Sequence, residues 1–306
     1  MTIVTETETL RIASATDVGR RRTGNEDAQV VWAPADPEER ERVGILLVVA
    51  DGMGGANAGE VASQIATDVI VREVCARSAE PPDEALRAAI ENANAEIHAQ
   101  ANQQADQRGM GTTCTALLVR GHQVWMGHVG DSRAYLVRGG AIQQLTRDHS
   151  LVAELVEHGH LTLDEAKHDP RRNVVTRSVG ASEDVHVDSG PLGEPLQPGD
   201  ALVVCSDGLH GQVADDEIAS ITSENPPDEA CLQLIELANA RGGPDNITVI
   251  VAQVVGVAEE AGPEPYDEGE EPARPASAAA RILIGLAILA AAAGLAALAL
   301  GAFRAH

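Results

Sequence analysis

The sequence predicts an α+β domain in which mostly antiparallel sheets carry helices on their faces. Two segments, 58–70 and 86–97, repeat apolar residues at helical spacing, whereas the other apolar stretches are short and rich in β-branched residues. These short stretches span residues 28–32, 45–49, 112–119, 124–129, 134–137, 201–204 and 247–255. Because they do not alternate regularly with helical segments, a parallel sheet built from βαβ units is not expected.

The two helical segments each carry one apolar face. The apolar positions are Ala58, Val61, Ala62, Ile65, Ala66, Val69 and Ile70 in the first segment, and Leu86, Ala89, Ile90, Ala93 and Ile97 in the second. Residues three and four apart lie on the same side of a helix. Both segments are therefore predicted to pack against the core.

The composition changes sharply near residue 257. We divide the chain into an N-terminal tail (1–9), a globular domain (10–256), an acidic Pro-rich linker (257–281), a transmembrane helix (282–303) and a short tail (304–306). Residues 258–277 contain seven acidic residues and four prolines. Such a segment cannot bury enough apolar surface to fold, so the linker is predicted to be disordered.

Residues 282–303 carry no charged or strongly polar side chain, and 22 residues is about the length that crosses a bilayer. This run predicts a single-pass membrane protein. Arg274 and Arg281 precede the run and Arg304 follows it, so the positive-inside rule places the globular domain in the cytoplasm. The N-terminus lacks the basic and apolar regions of a secretory signal, in agreement with that topology.

The charge disfavours some partners. The chain has 47 acidic and 22 basic residues and a net charge of −25, so its long-range field repels nucleic acids, and its few aromatic residues offer little surface for base stacking. Basic peptides and divalent cations are better partners. The four cysteines contain no C-x-x-C pair, which argues against a disulfide framework or a thiolate zinc site.

Acidic residues stand at the ends of the predicted strands. They are Asp27 and Asp245, which precede strands, Asp51 and Asp207, which follow strands, and Asp131, which lies in a turn between two strands. If neighbouring strands are antiparallel, all five carboxylates meet at one edge of the sheets. Gly52 and Gly208 follow two of these acids, so the backbone can approach an ion there. A set of oxygen ligands selects Mg²⁺ or Mn²⁺.

Seven motifs occur in order between residues 10 and 255. They are RTGNED at 22–27, DGMGG at 51–55 with Gly59 and Glu60, GTT at 111–113, GDSR at 130–133, LTRDHS at 145–150, CSDGL at 205–209 and GGPDNIT at 242–248. This ordered set resembles the metal-dependent Ser/Thr protein phosphatases, the type 2C or PPM family, and specifically its bacterial membrane-anchored branch.

The resemblance implies a sandwich of two antiparallel β-sheets flanked by helices, with a centre of two Mn²⁺ or Mg²⁺ ions at one end. Asp51 would bridge both ions, the Gly52 carbonyl would complete one of them, and Asp207 and Asp245 would hold the other. Asp131 would join Asp207 at a weaker third site. A hydroxide bridging the two ions would attack phosphorus in line.

The resemblance also implies roles for three residues of the first motif. Glu26 and Asp27 would orient metal-bound waters, and Arg22 would bind the substrate phosphate, for which a guanidinium is well shaped. Arg22 belongs to the run 20–22, which without the resemblance could be one solvated basic cluster. The implied substrates are phosphoserine and phosphothreonine in proteins, with Ser/Thr kinases of the same membrane and their targets as partners.

Met53 departs from the animal members of the family, which carry a histidine thought to protonate the leaving group. A thioether cannot donate a proton, so no general acid is assigned here. Methionine at this position resembles the bacterial members.

Three other interpretations compete with this one. Cys114 and Arg120 have the C-x₅-R spacing of cysteine-dependent phosphatases, but the residues between them are predicted to form a strand, whose N–H groups are used in pairing. His158 and His160 lack a third ligand and are assigned to a helix end and a loop. A catalytically inactive, phosphoprotein-binding module on the same fold is the third alternative, although all five aspartates are present.

Overall fold

Strands in two antiparallel sheets form the centre of the domain in the computed structural model, which describes residues 2–55 and 58–255. In chain order the strands are β1 (Ile3–Glu6), β2 (Leu10–Asp17), β3 (Asp27–Trp32), β4 (Ile45–Met53), β5 (Gly111–Thr112), β6 (Cys114–Arg120), β7 (Gln123–Val129), β8 (Arg133–Arg138), β9 (Ala141–Gln144), β10 (Asp188–Pro191), β11 (Ala201–Cys205) and β12 (Ile247–Val254).

The helices lie between these strands in the sequence. They are α1 (Pro37–Val43), α2 (Ala58–Ala76), α3 (Pro82–Gln103), α4 (Leu151–Glu157), α5 (Leu163–His168), α6 (Asp207–His210), α7 (Asp215–Glu224) and α8 (Pro227–Ala240), with a 3₁₀ turn at Ala105–Gln107. Local chemistry sets several of their ends. Asp36 caps α1 by accepting the Glu39 N–H, and Thr162 forms a capping box at α5 with Glu165.

The first sheet has the strand order β1-β2-β12-β11-β8-β9, and the second has the order β10-β7-β6-β4-β3, with β5 paired to β4. Neighbouring strands are antiparallel throughout the described pairings. Because helices cover the outer face of each sheet and the inner faces pack together, the central strands are apolar on both faces. In β4, Leu47 packs toward the first sheet, whereas Leu46 and Val48 pack under helices.

Three apolar layers hold the domain together. The layer between the sheets, which we call the inter-sheet core, includes Leu10, Ile12, Ile45, Leu47, Val49, Leu117, Leu202, Val204 and Ile250. On the outer faces, α2 and α3 cover the second sheet, and α7 and α8 cover the first. Burial of each such aliphatic side chain contributes about 1.5–3 kcal/mol, so the sandwich is held together mainly by aliphatic packing.

The structure confirms the predicted α+β fold with two antiparallel sheets flanked by helices. Both predicted helices and the predicted strands are present, with β4 extended to Met53 and α2 to Ala76, except that the predicted strand 112–119 is divided at Thr113 into β5 and β6. Residues 3–6, which we assigned to the N-terminal tail, instead form β1, because their backbone pairs with β2. The strands β2, β9 and β10, the helix α1 and the helices after residue 150 were not predicted. The apolar patterns of α1, β9 and β10 are too short to show a period, whereas β2 and the 14-residue helix α8 carry readable apolar spacing that was missed.

The proposed linker and transmembrane helix, 257–281 and 282–303, lie outside the described residues. Among the residues that are described, no helix has the length and apolar character needed to cross a membrane.

Candidate active site

The register of β3 and β4 brings two of the predicted carboxylates together. Asp27 is the first residue of β3 and stands directly opposite Asp51, which lies inside β4. Directly opposed residues of an antiparallel pair have Cα atoms roughly 4.5–5.5 Å apart. Asp27 and Asp51 therefore meet at one end of the second sheet.

Three loops bring the other carboxylates to the same end. Asp207 begins α6 immediately after β11, and Asp245 stands just before β12, the neighbour of β11. Asp131 lies in the turn where the chain passes from β7 in the second sheet to β8 in the first. Burial and then the charges of the other four aspartates raise the pKa of Asp51. The five residues thus form one cluster, which we call the acidic edge.

Burial is the largest cause of the raised pKa at three further positions of the acidic edge. It raises the pKa of Asp27 to about 7 and that of Asp131 to about 7, in both cases with the charge of Asp207 adding to the effect. Burial and the charge of Asp245 raise the pKa of Asp207 to about 6. A cation bound among these groups would offset both the burial and the repulsion, and so favour their ionised forms.

Two buried oxygens of the acidic edge, Asp27 Oδ1 and Asp207 Oδ1, have no hydrogen-bond partner among the described residues. Buried polar atoms are rarely left unpaired, so each of these oxygens calls for a water or an ion. The available donors are carboxylates and backbone carbonyls, which suit hard divalent cations. The chemistry of the acidic edge therefore fits Mn²⁺ or Mg²⁺.

The carboxylates are clustered but do not form a closed ligand shell. In the part of the chain that the structure describes, no three His, Cys, Asp or Glu side chains have the close spacing that would hold an ion. Two aspartates have protein donors: Ser206 Oγ donates to Asp27 Oδ2 at 2.8 Å, and Arg22 Nη2 donates to Asp245 Oδ2 at 2.8 Å.

Gly52 lies where three segments of backbone cross. A Cβ at this position would lie 2.1 Å from the Gly59 carbonyl oxygen and 2.5 Å from that of Glu26. The Gly52 N–H also donates to the Glu26 carbonyl at 3.1 Å. No side chain fits in this space, so glycine is required for packing, whether or not its carbonyl binds an ion.

Arg22 and Glu26 border the acidic edge from the loop between β2 and β3. The hydrogen bond to Asp245 is the main cause of the raised pKa of Arg22. Burial raises the pKa of Glu26, and the charge of Arg22 opposes this effect. The Glu26 N–H donates to Asn246 Oδ1 at 2.9 Å, so this loop is attached to the segment that carries Asp245.

Sequence reasoning assigned no role to Ser206 and Asn246, which orient the loops of the acidic edge. While Ser206 donates to Asp27, its hydroxyl oxygen accepts the Thr248 N–H at 3.0 Å. Asn246 Nδ2 donates to the carbonyls of Val18 and Gly24, both at 2.9 Å. Ser206 precedes Asp207 and Asn246 follows Asp245 in the sequence. A polar residue next to a predicted ligand at the end of a buried strand is the sequence feature that could have identified both.

Thr112 and Thr113 hold the backbone of Asp51 in place. Thr113 Oγ1 accepts the Asp51 N–H at 2.9 Å, and the Thr113 N–H donates to the Asp51 carbonyl at 2.8 Å. Thr112 Oγ1 donates to the same carbonyl at 2.9 Å. These contacts explain the GTT motif as a support for Asp51.

The turn that carries Asp131 is held by two histidines. His149 Nδ1 accepts the Gly130 N–H at 3.0 Å, and the main-chain N–H of His149 donates to the Gly130 carbonyl at 2.7 Å. His210 Nε2 lies 2.9 Å from the Asp131 carbonyl oxygen. Burial lowers the pKa of His210 to about 3, so the ring is neutral and can donate to this carbonyl.

The structure separates the residues of the competing cysteine mechanism. Cys114 and Arg120 stand at the two ends of β6, roughly 20 Å apart at about 3.3 Å per residue. Burial raises the pKa of the Cys114 thiol to about 12, so it is not a thiolate at neutral pH. His158 and His160 follow the end of α4, as predicted.

Comparison with known proteins agrees with this geometry. Residues 38–236 match the family described as Protein phosphatase 2C. The chain belongs to this family. The serine/threonine phosphatase stp of Listeria monocytogenes is 38% identical over 243 residues, which cover 78% of this chain and 93% of that protein.

The serine/threonine protein phosphatase PstP of Mycobacterium tuberculosis is 40% identical over 249 residues. The match covers 80% of this chain but only 45% of that protein, so the chain spans about half the length of this relative. A crystal structure of the PstP catalytic domain in complex with two manganese ions superposes with a TM-score of 0.67 at 37% identity, covering 81% of this chain and 99% of that one.

Proposed function

We propose that the protein is a metal-dependent phosphatase that hydrolyses phosphoserine and phosphothreonine in proteins. The acidic edge carries this proposal, because it gathers five carboxylates, two of them with unpaired buried oxygens, beside the exposed Arg22. The family relatives, which are named serine/threonine phosphatases, support it and give no support to an inactive binding module.

Two Mn²⁺ or Mg²⁺ ions fit the donors of the acidic edge. Asp51 and the Gly52 carbonyl, with Asp207 and Asp245, would hold the two ions, and Asp131 would join Asp207 at a third, weaker position. When bound, such ions activate water as a nucleophile near neutral pH and stabilise charge on the phosphoryl oxygens.

Residues of the first motif would bind the substrate phosphate and orient water beside it. Arg22 would donate to the phosphate oxygens of the substrate, and its hydrogen bond to Asp245 supports this role, because it holds the guanidinium beside a proposed metal ligand. Asp27 is held by Ser206 with Oδ1 unpaired, so it can accept a hydrogen bond from a water beside the phosphorus. Glu26 can accept another. Met53 cannot donate a proton, so it does not protonate the leaving group.

The direct test is hydrolysis of p-nitrophenyl phosphate and of a phosphothreonine peptide with Mn²⁺, with Mg²⁺ and with excess chelator. We expect turnover with either metal, none with chelator, and none for Asp207→Asn with an unchanged circular dichroism spectrum. Glu236→Gln, which removes an exposed carboxylate from α8, is the matched control and should retain activity. Full turnover in chelator would refute the metal mechanism.

The role of Arg22 is tested separately. Arg22→Ala should raise KM, and the inhibition constant of inorganic phosphate, about 10- to 100-fold, the effect of losing hydrogen bonds to a charged group worth about 1.5–3 kcal/mol. Arg22→Lys should recover only part of this loss, because an ammonium cannot reproduce the two-pronged contact. An unchanged KM for Arg22→Ala would contradict the assignment.

We further propose that residues 282–303 anchor the protein in a membrane with the domain on the cytoplasmic side, and that its substrates include Ser/Thr kinases and their targets at that membrane. The uncharged run of 22 residues supports the anchor. Confinement to the membrane raises the effective concentration of phosphoproteins held there. Recovery of the full chain in the soluble fraction after cell lysis would exclude the anchor.

A further inference from the structure

Three consecutive arginines lie at the rim of the acidic edge. Arg20, Arg21 and Arg22 follow one another, and residues 18–24 contain no acid, in a chain whose net charge is −25. All three side chains are exposed. This short segment therefore carries three positive charges beside the carboxylates of the acidic edge.

The backbone of this segment is fixed against the loop that carries Asp245. Gly19 has φ +82°, and a Cβ there would lie 2.1 Å from the Asp245 carbonyl oxygen. The Arg20 N–H donates to the Gly243 carbonyl at 2.7 Å. The backbone at the start of the three arginines thus packs against the loop that carries Asp245, and main-chain contacts fix its position relative to that residue.

The three side chains differ in their partners. Arg22 contacts Asp245, whereas Arg20 and Arg21 form no salt bridge or side-chain hydrogen bond with any residue that the structure describes. Elsewhere in the domain exposed arginines are commonly paired, as Arg171 is with Asp169 and Arg241 with Glu217.

One carboxylate near Arg20 is already engaged. Burial opposes ionisation of Asp17, but hydrogen bonds from Asn239 and Gly19, together with the charge of Arg20, hold the pKa of Asp17 below its usual value. Asp17 Oδ1 accepts from both Gly19 N–H and Asn239 Nδ2, at 2.9 and 3.0 Å. The donors of the Arg20 guanidinium remain available to a ligand.

We propose that Arg20 and Arg21 are specificity residues that select phosphorylated segments carrying a second anionic group, a carboxylate or another phosphate, beside the phosphate to be removed. The proposal rests on the proposed phosphatase function. A phosphopeptide is repelled by the net charge of the protein, and two free guanidinium groups next to Arg22 reverse that effect locally. An exposed ion pair of this kind changes binding by about 1.4- to 5-fold for each arginine.

The test uses the full chain in detergent with Mn²⁺ and a set of phosphothreonine peptides of one length. In the neutral peptide, the residues that flank the phosphothreonine are Gln and Asn. In the carboxylate peptide they are Glu and Asp, and in the phosphonate peptide they are Gln with one non-hydrolysable phosphonate analogue of phosphothreonine. The ratio of kcat/KM for each anionic peptide to that for the neutral peptide is measured for the wild type, for Arg20→Gln/Arg21→Gln, and for Arg87→Gln. Arg87 is a matched control, because it is exposed and unpaired among the described residues and lines a different cavity, between α3 and β10.

We expect the wild type and Arg87→Gln to prefer at least one class of anionic peptide by about 2- to 25-fold, the combined effect of two exposed ion pairs. The double variant should lose this preference while hydrolysing p-nitrophenyl phosphate at the wild-type rate. The preference of the wild type should shrink when ionic strength is raised from about 0.05 M to about 0.5 M. A preference for the phosphonate peptide alone would mean that the two arginines recognise a second phosphate. A preference for both the phosphonate and the carboxylate peptides would mean that they recognise anionic groups in general.

Equal ratios for the wild type and the double variant would overturn the specificity role. That result is distinct from failure of the proposed function, in which p-nitrophenyl phosphate would not be hydrolysed with Mn²⁺ at all.

Discussion

The inter-sheet core and the acidic edge are built on the same strands but follow opposite rules. In β4, the stretch from Ile45 to Ala50 is fully buried and apolar, and the next residue, Asp51, stands among four other carboxylates. In the neighbouring layer, β11 is buried along its whole length and ends one residue before the Ser206–Asp207 pair. Each apolar contact in the inter-sheet core stabilises the fold, whereas the like charges of the acidic edge repel one another and destabilise it.

The acidic edge lowers the stability of the folded protein, and the same carboxylates form the proposed active site. Raised carboxylate pKa values mean that the ionised groups are less favourable in the folded chain than in the unfolded one. The aliphatic layers of the sandwich compensate for this unfavourable end. Substitutions in the two regions should therefore separate stability from activity.

Asp51→Asn should produce the largest effect on activity. We expect turnover of p-nitrophenyl phosphate with Mn²⁺ to fall about a thousandfold or more, because bound metal ions supply several kcal/mol of transition-state stabilisation. The metal-free protein should become more stable, since the substitution removes a carboxylate whose ionised form is disfavoured by burial and by the neighbouring aspartates. Urea unfolding in chelator measures the second effect. Asp68→Asn, an exposed position on α2, should change neither quantity.

Leu47→Ala should lower stability and leave activity nearly unchanged. Leu47 is fully buried in the inter-sheet core, so its truncation should lower the free energy of unfolding by about 2–5 kcal/mol while kcat of the folded protein changes less than about twofold. Leu163→Ala, at an exposed leucine of α5, should cost less than about 0.5 kcal/mol. A large loss of kcat in Leu47→Ala at a temperature where it is folded would show that the two regions are coupled.

His128 should make the domain sensitive to acid. Burial, followed by the charge of His149, lowers the pKa of His128 to about 4, while His128 Nε2 donates to the Arg147 carbonyl at 3.0 Å. The unfolded chain therefore binds a proton more tightly, so this contribution is complete above about pH 6.5 and is lost toward pH 4, at up to about 1.4 kcal/mol per pH unit.

The measurement for His128 is the free energy of unfolding at intervals from pH 4 to pH 7. His128→Gln should be less stable at pH 7 but should show a shallower decline on acidification, so the two curves converge at low pH. His122→Gln, which changes a histidine in an exposed turn, is the control. Parallel curves for wild type and His128→Gln would mean that His128 does not titrate in this range.

Cys114→Ala should produce the smallest effect. The thiol is buried under α2 and α3 and has no catalytic role in the metal mechanism, so turnover should change less than about twofold. A modest loss of stability, about 1 kcal/mol, is expected from the lost packing. Loss of turnover with intact folding would instead favour the cysteine mechanism.

Much of the fold was predictable because its signals are local. Apolar runs such as 45–49 and 201–204 are buried on both faces, and the face of α2 was visible in its helical spacing. Asp27 lies at the start of β3, as the sequence predicted, whereas Asp51, which was predicted to follow its strand, lies inside β4, and the register of the two strands sets it opposite Asp27. Strands such as β10, with the sequence DSGP, carry no apolar pattern and depend on pairing with β7.

By itself, the sequence determined the two long helices α2 and α3, most of the buried strands, the order of the motifs, the oxygen-only donor set and the family. Only the tertiary structure decided which groups orient the acidic edge. Ser206 contacts Asp27 across 179 residues of sequence, and Asn246 contacts Glu26 across 220. The tertiary structure also left Arg20 and Arg21 unpaired beside Arg22 among the described residues. Such contacts depend on how the two sheets pack and where their loops meet, and no local periodicity records that geometry.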